Sequence, residues 1–133
     1  MMDHIKQLDK KLSIIIPSRN DRPFLLKLLI ALSELPIECM ELLIIDSSDI
    51  KQSLPHDIES LFSKKSYKVK LVFSETSSPG ASRNEGVSLA QGDWFGFLDT
   101  KTIPNLTWVD SCKEIIANNK FNGLWGKTRY LGN

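Results

Sequence analysis

Two acids in this chain close apolar runs: Asp46 ends Glu41-Leu-Leu-Ile-Ile-Asp46, and Asp99 ends Trp94-Phe-Gly-Phe-Leu-Asp99. A carboxylate in such a place can accept a hydrogen bond from a ligand N–H or hold a cation. Its plainer use is as a turn former or helix cap. Arg83 stands three residues after Ser74-Glu-Thr-Ser-Ser-Pro-Gly80, in which Ser78 and Pro79 suit the N-cap and first position of a helix. Helix-terminal N–H groups beside a guanidinium suit a diphosphate. Pro17-Ser-Arg-Asn20 follows another apolar run and adds a fourth cluster of polar groups.

The elements that must position these groups alternate in type. Leu12-Ser-Ile-Ile-Ile-Pro17 predicts a strand, and Phe24, Leu25, Leu28, Leu29, Leu32 and Leu35 repeat at helical spacing between Pro23 and Pro36. Residues 41–46 predict a second strand, and a segment with Leu54, Ile58, Leu61 and Phe62 a weaker helix. Lys68-Val-Lys-Leu-Val-Phe73 alternates lysine with apolar residues, as an edge strand would. A short helix opens at Ser78, and after a turn at Gln91-Gly-Asp93 a fourth strand runs from Trp94 to Asp99. Trp108, Val109, Cys112, Ile115 and Ile116 mark another helix, and Gly123–Tyr130 a last strand. This order predicts a three-layer α/β/α domain around a mostly parallel sheet. Ligands of such sheets bind outside the carboxyl ends of the strands, where strand order reverses. Trp94, Phe95, Phe97 and Trp108 are expected to pack in the core, and His56 to be solvated.

Composition narrows the classes. The 133 residues are 41% hydrophobic and 25% charged, which fits one soluble domain. Residues 1–11 form a polar tail and 12–133 the domain. Seventeen basic against sixteen acidic residues leave a charge of +1, so nothing electrostatic points to nucleic acid. Cys39 and Cys112 form no C-x-x-C pair, and His4 and His56 lack ligand-spaced neighbours, which argues against zinc or a disulfide framework. Reduced thiols and a cytoplasmic location are expected. The longest apolar stretch, Phe24 to Leu32, is interrupted by Lys27 and is too short to span a bilayer, so no membrane anchor is expected. The sequence also lacks G-x-G-x-x-G, G-x-x-x-x-G-K-[ST] and G-x-S-x-G, which counts against a dinucleotide domain, a P-loop ATPase and a hydrolase.

Leu12-Ser-Ile-Ile-Ile-Pro-Ser-Arg-Asn20 resembles the opening strand and turn of family 2 glycosyltransferases of the GT-A fold. Leu43-Ile-Ile-Asp-Ser-Ser48 is similar to that family's second strand and nucleoside-binding acid. Gly80-Ala-Ser-Arg-Asn-Glu-Gly86, Ala90-x-Gly92 and Phe97-Leu-Asp99 resemble the block leading into its D-x-D motif. Order and spacing agree from Leu12 to about Asp110. The resemblance implies a Rossmann-like GT-A fold, truncated after its donor-binding half. It also implies a nucleotide-diphosphate sugar donor, most simply a UDP-sugar. The reaction implied is inverting transfer to a saccharide or lipid-linked acceptor in polysaccharide assembly. Pro17, Ser18, Arg19 and Asn20 would line the base and ribose. Asp46, with Ser47 beside it, would accept the uracil N3–H. Gly80 and Arg83 would face the phosphates, Arg83 alternatively orienting Asp99, and Asp99 would lie beside the diphosphate or the sugar.

Two departures qualify what the resemblance implies. The family's D-x-D acids hold Mg²⁺ or Mn²⁺, but here Asp99-Thr-Lys101 leaves Asp99 as the metal-binding acid beside an ammonium that repels a cation. Lys101 either neutralises the diphosphate itself or points away, with donor turnover lost. The acceptor-binding half and the general base are expected beyond the last strand, so the chain alone is expected to bind nucleotide without transferring sugar. The rival expectation is a non-catalytic nucleotide-binding or interaction domain that kept the sheet. Apolar surface at the uncovered end of the sheet would favour a homo-oligomer.

Overall fold

The first strand, β1 (Leu12–Ser18), and the second, β2 (Glu41–Asp46), are buried along almost their whole length, as strands covered on both faces must be. A computed structural model describes residues 12–118, so the tail 1–11 and the expected strand Gly123–Tyr130 lie outside the described residues. Between and after these strands come α1 (Arg22–Ser33), α2 (His56–Ser60), β3 (Lys68–Phe73), α3 (Pro79–Leu89), β4 (Trp94–Phe97) and α4 (Leu106–Asn118). The four strands are parallel in the order β3-β2-β1-β4, and β3 lies at an edge as its lysine alternation predicts. Among the described residues no helix is long and apolar enough to cross a membrane.

Period-two alternation divides the sheet between two cores. Leu12, Ile14, Ile16, Leu42 and Ile44 join Leu25, Leu28, Leu29 and Leu32 of α1, Ile58 of α2, and Val109 and Ile116 of α4. Ile15, Leu43 and Ile45 turn to the other face, against Val72 of β3, Val87 of α3 and Ala90 just after it. The three layers are therefore helices α1, α2 and α4, then the sheet, then α3. Cys39 and Cys112 both join the first core and form no disulfide. Trp108 packs against that core as expected, and so does Trp94.

Phe95 and Phe97 correct the expectation of burial: they are 39% and 46% exposed. In register they stand beside Ser13 and Ile15, on the α3 face of the sheet. But α3 packs on β1 and β2, and among the described residues nothing buries Phe95 and Phe97 on that face of β4. Two boundaries also differ. The fourth strand stops at Phe97, so Asp99 lies in the loop beyond it, and α1 ends at Ser33, three residues before Pro36.

The approach of α3 to β1 depends on Gly86. A Cβ there would lie 2.5 Å from Cγ2 of Ile15, a stiff branch on a fully buried strand residue. At the amino end of the sheet, Glu41 is 1% exposed and ties four segments together. Its carboxylate accepts from the Ser13 hydroxyl at 2.6 Å, the Gln91 amide at 2.7 Å and Lys70 Nζ at 3.0 Å. The Gly92 amide in turn donates to Ser13 Oγ at 2.9 Å. Burial pushes the Glu41 carboxyl upward, but the Gln91 amide, the Ser13 hydroxyl and Lys70 together outweigh it and hold the group below its ordinary 4.5.

Two expectations follow. Gly86→Ala should lower stability by about 1–3 kcal/mol through overpacking, more than alanine's helix propensity of about 1 kcal/mol returns. A melting temperature no lower than wild type would show that α3 can lift freely from Ile15. For Glu41, the lowered folded pKa means its contribution is complete above the unfolded value and is lost as pH falls through the folded one. Glu41→Gln should therefore cost about 2–3 kcal/mol at neutral pH, with the gap to wild type narrowing in acid. Urea unfolding at both pH values measures it, and a gap of constant size would mean the charge contributes nothing.

Candidate functional site

The chain steps from β1 to β2 to β3, then crosses back to place β4 on the other side of β1, so strand order reverses between β1 and β4. A cleft of about 240 Å³ opens at the carboxyl ends beside that reversal. Pro17, Ser18, Arg19 and Asp21 line it from the β1 loop, Ser47 from the β2 loop, Ser78, Pro79, Ser82 and Arg83 from α3, and Asp99 and Lys101 from the β4 loop. Six sequence candidates thus come together: Pro17, Ser18, Arg19, Ser47, Arg83 and Asp99. A smaller, mostly apolar groove at the amino end of β1, between Ile37 and Trp108, lies away from these groups.

Asn20, Asp46 and Gly80 do not line the cleft. Asn20 takes a left-handed φ of 52°, which asparagine tolerates better than most residues. In that pose it staples two loops: its amide donates to Ser48 Oγ at 2.8 Å, its side chain donates to Asp49 at 3.2 Å, and its Oδ1 accepts from the Asp49 amide at 3.0 Å. The Asp46 side chain is 1% exposed beneath this staple. Its Oδ1 accepts from the amide of Ser48 at 3.0 Å and from the Ser48 hydroxyl, and its Oδ2 from Arg22 Nη2 at 3.3 Å. The same Nη2 donates to the Gln52 carbonyl at 2.7 Å, which clamps the β2 loop onto the start of α1. Gly80 sits in the first turn of α3 with open space where a Cβ would stand.

The amino terminus of α3 is built as its sequence predicts. Ser78 is extended (φ −140°, ψ 154°), its hydroxyl accepts from the Ala81 amide at 3.2 Å, and Pro79 follows it. The preceding loop is fixed by hydroxyls: Ser74 bonds Thr76 and Glu85, and Thr76 lies 2.6 Å from Ser82 Oγ. The positive end of the helix dipole therefore lies at the cleft, where Ser78, Pro79 and Arg83 line it. Among the described residues Arg83 pairs with no acid, and no ion pair joins it to Asp99.

Sequence reasoning missed Asp21. It is the residue before α1, but its side chain makes no cap bond to the helix. Instead Oδ1 accepts from Ser18 Oγ at 2.6 Å and from the Arg19 amide at 3.1 Å, and Oδ2 accepts from Thr100 Oγ1. Asp21 thus stitches the two loops on either side of the strand reversal. Ser78, read from the sequence as a helix cap, also lines the cleft, as does Ser82, to which the sequence assigned no role. Asp21-Arg-Pro23 carries an ordinary helix-start signature, which hid the bond to a residue 79 positions away.

Among the described residues two acids line the cleft. Of the two that line the cleft, Asp21 has both oxygens engaged, and Asp99 Oδ1 accepts from the Lys101 amide at 3.0 Å. Among the described residues no three His, Cys, Asp or Glu side chains converge. Lys101 enters the cleft, its ammonium 5.5 Å from the centre of the Phe24 ring.

A doubly wound parallel sheet with a polar, cation-rimmed cleft at its switch point is the architecture of nucleotide-binding α/β domains. The chain belongs to glycosyl transferase family 2, whose model matches residues 13–131. It is 32% identical over 92 residues to the amylovoran biosynthesis glycosyltransferase AmsB of Erwinia amylovora, a match covering 68% of this chain and 31% of AmsB. Among solved structures it is similar to S. aureus TarS 1–349, with TM-score 0.62, 21% identity, and coverage of 89% of this chain and 38% of TarS 1–349. The same protein in complex with UDP-GlcNAc gives TM-score 0.62 and 22% identity, over 89% of this chain and 37% of that one. These likenesses establish the GT-A fold expected from the sequence. The chain spans about a third of the length of the relatives it matches.

Asp21→Ala would leave the Ser18 and Thr100 hydroxyls, each 3% exposed, without their acceptor. A loss of about 1–3 kcal/mol is expected, measured by urea unfolding. A change under about 0.5 kcal/mol, ordinary for a surface position, would deny Asp21 its stitching role.

Proposed function

We propose that the cleft binds the nucleoside diphosphate of a sugar donor, a UDP-sugar, for inverting transfer to a saccharide or lipid-linked acceptor. The observation that carries this reading is the meeting of the α3 amino terminus, Arg83 and Asp99 at the strand reversal. Arg83 has unspent N–H donors in a fork that matches phosphate oxygens. Pro17, Ser18, Arg19 and Ser47 line the part of the cleft nearest β1 and β2, where the nucleoside would lie. The Asn20–Asp49 and Arg22–Asp46 contacts would hold the loops that enclose the base. The match to AmsB and the UDP and UDP-GlcNAc complexes of TarS support a nucleotide-sugar donor.

In the reaction proposed, an acceptor hydroxyl attacks the anomeric carbon from the face opposite the diphosphate. The new C–O bond forms as the bond to the diphosphate oxygen breaks, the electron pair leaves with the diphosphate, and the hydroxyl proton passes to a base on the acceptor side. Cations and helix amides that grip the leaving diphosphate stabilise charge that grows as the bond breaks.

Isothermal titration with UDP and with uridine tests donor binding. UDP should bind more tightly than uridine, and Arg83→Ala should weaken UDP by about tenfold, or 1.4 kcal/mol, while leaving uridine unchanged. Equal affinity for the two ligands, or an Arg83→Ala variant indistinguishable from wild type, would count against a diphosphate in this cleft.

A further inference from the structure

We infer that the cleft grips the donor's diphosphate without a divalent cation, the Lys101 ammonium holding the place that a metal ion would otherwise fill. The inference rests on the donor reading above and deepens it. Its starting point is what the cleft's carboxylates are already doing. Asp21 gives its oxygens to Ser18, Arg19 and Thr100, so it belongs to the framework. Asp99 gives Oδ1 to the amide of Lys101, while its carbonyl accepts from the Thr102 amide at 3.0 Å and the Thr102 hydroxyl at 2.6 Å. These three bonds close a tight turn over Asp99 to Thr102. A hard cation needs several oxygen ligands, and among the described residues Asp99 Oδ2 is the one carboxylate oxygen lining the cleft that accepts no hydrogen bond.

That turn also decides where Lys101 goes. The residue in the second acid's place lines the same cleft as Arg83 and Asp99, and its ammonium lies over the ring of Phe24 in the first turn of α1. The ring face attracts the ammonium and limits its wandering, yet leaves its N–H donors unspent. Among the described residues Lys101 pairs with no acid. A fixed positive charge here repels a dication on Asp99 and attracts a diphosphate. Asp99 is thereby a positioning residue: it sets the turn that delivers Lys101.

The test titrates the 133-residue chain with UDP and uridine, in EDTA and in Mn²⁺. Wild type should bind UDP in EDTA within about threefold of its affinity in Mn²⁺. Lys101→Met should weaken UDP in EDTA by about tenfold or more and leave uridine unchanged. Lys101→Asp, which restores a second acid, should bind UDP only with Mn²⁺. Lys101 is exposed, so both variants should keep the wild-type melting temperature. Wild-type binding that vanishes in EDTA and returns with Mn²⁺ would overturn this inference and leave the donor reading standing. So would a Lys101→Met variant that binds UDP as wild type does in EDTA. Failure to bind UDP under either condition would sink the donor reading, and this inference with it.

Discussion

One carboxylate joins the two loops that flank the strand reversal. The strand reversal creates a gap between the loops after β1 and β4, because no helix or turn connects them directly. Asp21 spans that gap, with one oxygen on the β1 loop and the other on Thr100. Without such a bridge the two walls of the cleft could drift apart while the sheet stayed intact. Partners so distant in sequence are positioned only by the finished sheet, so the cleft takes shape after the fold and never before it.

The two ends of the sheet use polar groups in different ways. At the amino end Glu41, Ser13, Lys70 and the amides of Gln91 and Gly92 bond one another, so they hold strands and the α3–β4 turn in place. At the carboxyl end the bonded groups form a floor, and longer side chains stand above it with donors to spare. Only the second arrangement can receive a ligand, because a buried polar group that is already satisfied gains little by changing partner.

This division explains what the sequence made legible. The strands, their parallel order and the α3 cap were visible, because β-branched runs and Ser78-Pro79 act locally. The cluster of Ser18, Arg19, Ser47, Arg83 and Asp99 was visible too, since it follows from placing strand ends on one edge. Asp21 was not, because its partner Thr100 is distant and its neighbours look like an ordinary helix start. Phe95 and Phe97 misled for a related reason: apolar residues in a strand imply a covering layer, and α3 packs instead on β1 and β2. Asp46 was legible as a strand-end acid, but its embrace by Arg22 and Ser48 depended on how the β2 loop folds back.

The contrast between floor and rim bears on how such a cleft could bind tightly. Ordering flexible side chains costs entropy, so a site is more effective when most of it is fixed beforehand. Here Asp21 with Thr100, Asp46 with Ser48, and Thr76 with Ser82 are tied in pairs, which fixes the floor by bonds within the protein. Among the described residues Arg83 and Lys101 are the cleft's cations without an acid partner, and the Lys101 ammonium lies over the Phe24 ring. On the donor reading proposed above, most of the binding free energy for an anion would come from a few long cations above a fixed floor. Affinity for the diphosphate and selectivity for the nucleoside would then reside in different residues, and evolution could change one without rebuilding the other.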